Sequence, residues 1–462
     1  MSDFTQFIQQ AYQEYSSRFS GIHLPEIKAE REKALQDFLQ RGLPTQKVES
    51  WRHYPIDQMV ENEYTFQDAP EPYQPIEKHF SCAIKSFASN VFALLNGWYL
   101  HHNSPLTVFP NGVIIGSIFT AMEQYPDLVL PYCLKPAPQK ADSLFSLNKA
   151  FANDGIFLYV PDDVIVEQPI QLISLVNTPE NMLTQERNLV IVGKNASLSL
   201  VHCNDSFRHG KTFVNNVTEI YLEESASLHY HKMGNKDAES LLVDYVSIHQ
   251  KAHSRLLTNT VTFNAGYVRN IVDVNLNEPF ADAKVYGLYL VDKKQFVDNQ
   301  VFVNHAATDC TSKQLYKGIT DDESTANFNG HIYVAKDAQR TAAFQSNRNI
   351  TLTDEAKIMT KPFLEIYADD VQCSHGATVG QLNDDALFYL MTRGICERNA
   401  RMLLLHAFAN EIIDFVDIES LKEAMMDMVR MRLSGELSPC DRCVMRCSND
   451  ETLSFDIDIS KI

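Results

Sequence analysis

The chain has 462 residues, with 40 Lys and Arg against 59 Asp and Glu, a formal net charge of −19. That length exceeds one ordinary compact core, so two or three domains are expected. The acidic balance excludes a generic nucleic-acid or anionic-membrane surface. Hydrophobic residues at 45% and charged residues at 21% are the proportions of a soluble globular protein, and no apolar run is long enough to span a bilayer.

In chain order, Met1 to Gln6 lacks the basic start and apolar core of a signal peptide. The nine cysteines therefore read as reduced thiols of a cytoplasmic protein. Residues 3–20 predict an amphipathic helix, with Phe4, Phe7, Ile8, Ala11, Tyr15 and Phe19 at helical spacing. A second helix is expected from Pro25 to Arg41, with proline in its first turn and Gly42 as its stop. Trp51, one of two tryptophans, reads as an aromatic anchor between helices. Residues 56–90 are polar and Pro-rich and read as a connecting loop. Residues 91–153 mix strand-like runs with a helix near Ser143–Asn153, completing an N-terminal α/β domain over 1–153.

At Gly155 the pattern changes. Short runs rich in β-branched and aromatic residues, such as Ile156–Val160, Leu189–Val192, Glu219–Leu222, Val272–Leu276 and Val285–Leu290, recur with Asn, Asp and Gly turns for roughly two hundred residues. Strand, polar turn and strand repeat without the Asn-Gly signal of tight hairpins, so a β-solenoid fits better than a sandwich or jelly roll. A solenoid has open end coils and needs caps, which the flanking helical segments can supply. The core is placed at 154–376, with a helical domain at 377–435 and a polar tail at 436–462 that reads as flexible. The helical domain has apolar faces carrying Leu387 and Leu390, then Leu403, Leu404, Phe408 and Ile412, then Met425 and Met428.

No Walker-type phosphate loop, dinucleotide glycine fingerprint or Gly-x-Ser-x-Gly elbow occurs. A carbohydrate-active enzyme on a solenoid would need a strand-face cluster of acids and an export signal, and neither is evident. Cys440, Cys443 and Cys447 have metal-like spacing with no fourth ligand nearby, which leaves open a metal-storage role or incidental thiols. Between Phe302 and Asn349 polar side chains are dense, among them His305, Cys310, Ser312, Gln314, Lys317, Gln339, Arg340, Gln345 and Asn347. They read either as polar ladders that stabilise stacked coils or as an interior path or partner surface. In Val371-Gln372-Cys373-Ser374-His375, alternation puts Cys373 and His375 on one face of a strand. A thiolate beside an imidazole suits iron or zinc, and two ligands do not complete a site.

The run Glu365-Ile366-Tyr367-Ala368-Asp369-Asp370-Val371-Gln372-Cys373-Ser374-His375-Gly376-Ala377-Thr378-Val379-Gly380 resembles the signature of the SufD family, scaffold subunits of the SUF iron–sulfur cluster assembly machinery. Ala386–Leu390, Arg393-Gly394-Ile395, Gln314–Gly318, Ala338–Thr341 and Gly42–Thr45 with Glu49–Arg52 extend the likeness over roughly residues 40–415. The paralogous SufB pattern has Glu on both sides of this histidine. Ser374 and Gly376 stand there instead, which favours SufD over a SufB-like paralogue that holds the cluster itself. Tyr54-Pro55 departs from the usual ending after Trp51-Arg52, and the Cys-containing tail is outside the pattern.

The resemblance implies a mainly β fold: a right-handed parallel β-helix flanked by N-terminal α/β and C-terminal helical domains. It implies a non-catalytic cytoplasmic scaffold that pairs with SufB through the β-helix and docks the ATPase SufC on helices within 384–417, near Leu387, Leu390, Arg393 and Phe408. His375, with Cys373 as a weaker candidate, would then hold iron or a nascent cluster shared with SufB. A homodimer is possible in isolation. A reduced flavin is associated with such complexes, and no flavin residue maps onto this chain.

Overall fold

The computed structural model describes residues 3–434 apart from 71–89 and short gaps at 55, 62, 68, 102–103, 139, 207–210, 236–238 and 265. Cys440, Cys443 and Cys447, and residues 71–89 of the expected connecting loop, lie outside the described residues.

Two helices open the chain, α1 (Asp3–Tyr15) and α2 (Pro25–Arg41). The first is shorter than its apolar spacing predicts because Ser16–Arg18 tightens into a 3-10 turn. Pro25 sits in the first turn of α2, and Gly42 ends it at φ 67°, a left-handed conformation that glycine adopts without a Cβ penalty. A one-turn helix, α3 (Ile56–Met59), precedes strands β1 (Asn90–Leu95), β2 (Trp98–Leu100), β3 (Leu106–Val108) and β4 (Ile114–Ser117). Helices α4 (Ile118–Gln124), α5 (Pro126–Cys133) and α6 (Ser143–Phe151) follow. Trp51 is the expected anchor: it is fully buried, its indole N–H donates to Asp142 at 3.0 Å, and the Arg269 guanidinium lies 3.8 Å from its ring centre. Asp142 also caps α6 by accepting from the N–H groups of Leu144 and Phe145.

The chain then winds into a β-solenoid of about seven turns. Its strands are β5 (Ile156–Val160), β6 (Ile170–Val176), β7 (Met182–Val192), β8 (Ser197–Ser206), β9 (Thr212–Leu222), β10 (Ser227–Asn235), β11 (Leu241–Gln250) and β12 (Arg255–Asn264). They continue as β13 (Tyr267–Leu276), β14 (Asp282–Val291), β15 (Phe296–His305), β16 (Thr311–Thr320), β17 (Thr325–Val334), β18 (Thr341–Thr351), β19 (Lys357–Ile366) and β20 (Val371–Gly380). Successive strands alternate between two ten-stranded sheets, and each strand from β5 on pairs in parallel with the strand two positions later. β1 and β2 extend one sheet and β4 and β3 the other, so the strand-like runs after residue 90 join the solenoid instead of forming a sheet of their own.

One corner explains why hairpin signals are missing. Each coil turns there through a left-handed residue that is not glycine: Asp163, Asn195, Ser225, His253, Phe280, Asp309 and Arg340. Their N–H groups donate to the next coil, as in Asn195 to Glu224 (3.0 Å), Ser225 to Ala252 (2.9 Å) and Asp309 to Gln339 (2.9 Å). The coil-to-coil hydrogen bond offsets the small cost of a single left-handed residue.

Aliphatic side chains fill the space between the sheets, among them Val190, Leu200, Ile220, Leu228, Val272 and Val285. The outer face of one sheet is covered by the N-terminal helices, with Phe213, Val217 and Tyr245 packed into the same cluster as Phe4, Phe38 and Phe145. The outer face of the other is covered by α7 (Asp384–Thr392), α8 (Glu397–Ile413) and α9 (Glu419–Ser434). There Tyr286, Leu288 and Leu315 meet Leu405, Ile412 and Met425. Arg432 of α9 fixes this layer through buried bonds to Asp292 (2.6 Å) and to the Phe263 carbonyl (2.8 Å).

Candidate functional site

Among the described residues the solenoid is closed at one end and open at the other. At the far end β19 and β20 each pair with one neighbour only, and no described element crosses over them. Backbone donors and acceptors along such edges are templates for another chain.

Cys373 and His375 stand on β20 in register with Ala343 and Gln345 of β18. Ala343 and Gln345 are interior residues, while Phe344 between them is exposed on the outer face. Cys373 and His375 therefore share the interior-facing side, as alternation predicts. Cys373 is half-buried and packs beside Ile332, Val334 and Ala343, and this burial pushes its thiol above the ordinary value. His375 is exposed at the mouth. Among the described residues no three His, Cys, Asp or Glu side chains form a group able to hold a metal ion. The pair by itself supplies two donor side chains, fewer than a metal site needs.

Below this mouth the interior carries polar side chains on several neighbouring registers. Gln345 donates from Nε2 to Gln314 Oε1 at 2.7 Å. The Tyr289 hydroxyl donates to Asn349 (2.5 Å), and Asn349 donates to Asn347 (2.6 Å). Deeper still, Lys232 pairs with Asp244, Ser174 donates to Glu186 (2.7 Å), and His202 lies between Ser174 (3.0 Å) and Tyr230 (2.9 Å). The ladder reading of the polar 302–349 segment fits Gln314, Gln345 and Asn347. Of the other members, His305, Cys310 and Ser312 are also interior, and Lys317, Gln339 and Arg340 sit outside it. Lys317 faces the C-terminal helices and pairs with Glu411. His305 is buried and bonds Ser312 (2.8 Å). Cys310 is buried and its thiol is raised by burial. Gln339 and Arg340 lie at the corner, where Arg340 makes a bidentate pair with Asp309 (2.6 Å each).

The C-terminal helices present a second surface. Asn383 caps α7 by accepting from the Ala386 N–H at 2.8 Å. Leu387 is buried, and Phe408 turns inward, with the Lys317 ammonium 4.2 Å from its ring centre and bonded to its carbonyl (2.9 Å). Leu390 is half-buried and Arg393 is exposed against the Tyr389 ring. The outward apolar face is made by Phe388, Tyr389, Met391 and Leu403, of which Phe388 is 69% and Tyr389 58% exposed. The sequence pattern located the helix and its apolar residues, and of the docking residues that the resemblance implies Leu387 faces the core. Two adjacent aromatics off the apolar stripe were the available signal.

A second junction ties the solenoid to this layer: His229 and His231, alternate residues of β10, bracket Asp417 at 2.5 and 2.9 Å. The two imidazoles hold the Asp417 carboxyl far below the ordinary range against the opposing effect of its burial. No sequence pattern pointed to it, because Asp417 arrives from 186 residues away.

Comparison with known proteins agrees with this architecture. Residues 175–408 match the model of the SUF system FeS cluster assembly SufBD core domain, and residues 1–172 match that of the SufBD protein N-terminal region. An iron–sulfur cluster assembly SufBD family protein of Synechocystis is 34% identical over 308 residues, covering 64% of this chain and 68% of that protein. The iron–sulfur cluster assembly protein SufD of Escherichia coli is 26% identical over 412 residues, 87% of this chain and 92% of that protein. SufD of Bacillus subtilis is 26% identical over 330 residues, 70% and 74% respectively. The chain is therefore a SufD-like member of the SufBD family, an assembly factor of the SUF system for iron–sulfur clusters.

Proposed function

We propose that this chain is a non-catalytic scaffold that pairs with a SufB-like subunit through its open solenoid end and docks a SufC-like ATPase on the outer face of α7 and α8. The observation that carries this reading is the last coil, over which no described element lies, with Cys373 and His375 on one face at its mouth. An in-register partner strand would satisfy the free edge and bring the missing ligands to the pair. Iron, or a nascent cluster, is then the cargo of the joint, held by His375 and with a lesser part for Cys373. The exposed Phe388, Tyr389 and Met391 supply an apolar patch of the kind that marks a protein contact. A reduced flavin in the assembled complex belongs to the same reading; no residue of this chain is assigned to it.

The test is co-purification with SufB and SufC from one extract, comparing the natural chain with His375→Ala. The variant is expected to assemble normally and to carry less iron, by about tenfold or more if His375 is a ligand. Full iron content in the assembled variant would remove His375 from the site. Failure of the natural chain to recover either partner would overturn the scaffold reading.

A further inference from the structure

The amide file ends directly under His375. Register stacks Val285, Gln314, Gln345 and His375 on four successive strands of one sheet. Gln345 is 4% and Gln314 1% exposed. The Gln345 amide nitrogen is committed downward, to Gln314 Oε1 at 2.7 Å. Its carbonyl Oε1 is buried and accepts no hydrogen bond among the described residues. In an in-register ladder of amides, nitrogen and oxygen face opposite neighbours. With the nitrogen on the Gln314 side, the oxygen looks toward His375. The facing sheet has been cut back to receive this amide: a Cβ on Gly330 would lie 1.9 Å from Gln345 Nε2. A buried acceptor without a donor costs about 1–3 kcal/mol. The next residue in register on the open side is His375, whose imidazole carries a ring N–H donor.

We propose that Gln345 is the positioning residue of His375: its side-chain carbonyl accepts one imidazole N–H, which leaves the lone pair of the other ring nitrogen directed out of the solenoid mouth. A ligating histidine generally donates its second ring N–H in this way, and that bond sets which nitrogen is free for the metal. Gln345 touches no cargo. It selects the tautomer and ring orientation in which His375 meets the partner. The geometry stands on the amide file alone, and only its consequence for iron rests on the scaffold reading.

The experiment uses the full chain with 15N-labelled histidine, His375→Ala identifying the His375 signals. In the natural chain the neutral imidazole is expected in one dominant tautomer. Gln345→Met, of similar length but without the acceptor, is expected to redistribute it, and Gln345→Glu, which keeps an acceptor oxygen, to restore it. Gly330→Ala keeps Gln345 but displaces its amide, so it is expected to act like Gln345→Met and decides the matter if that variant does not fold. The second readout is Fe(II) affinity of the co-purified complex, expected to fall about tenfold in Gln345→Met. An unchanged tautomer ratio in both Gln345→Met and Gly330→Ala overturns the proposal. A redistributed tautomer with unchanged iron affinity upholds the positioning role and removes His375 as an iron ligand.

Discussion

The two ends of the solenoid solve the same edge problem in opposite ways. At the first end the sheets fold back on themselves: β2 runs antiparallel to β1, and β4 and β3 run antiparallel beyond β5. Asp154 ties that end together by accepting from Ser117 Oγ (2.7 Å) and from the N–H groups of Gly155 (2.9 Å) and Tyr99 (3.2 Å). At the last end β19 and β20 run parallel to their neighbours and stop, with Val379, on the interior-facing side of β20, 48% exposed. Among the described residues the chain caps one end with its own strands and leaves the strand edges at the other unpaired, the kind of edge on which another strand can add.

Three substitutions sharpen the contrast. The largest effect is expected at the closed end, where Leu94 of β1 is 1% exposed in the interior cluster. Leu94→Ala should cost about 2–5 kcal/mol in denaturant unfolding, and a cost near zero would mean the first coil contributes little to the fold. Next is the pH dependence of the Asp154 tie. Burial pushes this carboxyl up to about 6 from an ordinary 3.8. A carboxyl raised in the folded state adds stability below its unfolded pKa and loses it as pH rises through 6. Asp154→Asn should therefore flatten the fall in stability between pH 4 and pH 7, by up to about 3 kcal/mol. Asp273, also pushed up to about 6 by burial, keeps part of the slope in place. An unchanged slope in melting temperature against pH would show that Asp154 does not titrate there.

The same contrast explains what the sequence disclosed. The repeated β-branched runs and the absent Asn-Gly turns were enough for a solenoid, because each coil repeats one strand chemistry. Alternation within strands was not readable in the middle coils. All of Met182–Val192 is buried, since helices cover the outer face as well as the interior being filled. Polar residues such as Glu186, His202, Lys232 and Asp244 sit inside, where a two-residue pattern expects aliphatic ones. The closing strands β1 to β4 were invisible as such because their pairing partners lie up to about eighty residues away, as in Asn90 with Ile170. At the open end no described element covers the strand, alternation survives, and Cys373 and His375 were placed on their shared face from sequence. The role of Gln345 could not be read, because it depends on which way an amide points inside a folded file.

The smallest stability effect is the most informative about function. Val379 stands on the interior-facing side of β20, in register with Asn349, and is 48% exposed where the last coil ends. Val379→Lys should change the stability of the isolated chain by no more than about 0.5 kcal/mol, since its side chain has little to lose there. A lysine on an edge nevertheless opposes strand addition, because pairing would force its ammonium between two sheets without a counter-charge. Complex formation with a SufB-like partner should therefore be lost while the melting temperature of the chain holds. If the complex forms with undiminished affinity, the last coil is not the joint. If the isolated chain unfolds more easily, β20 is part of the core, and the bare end is as structural as the closed one.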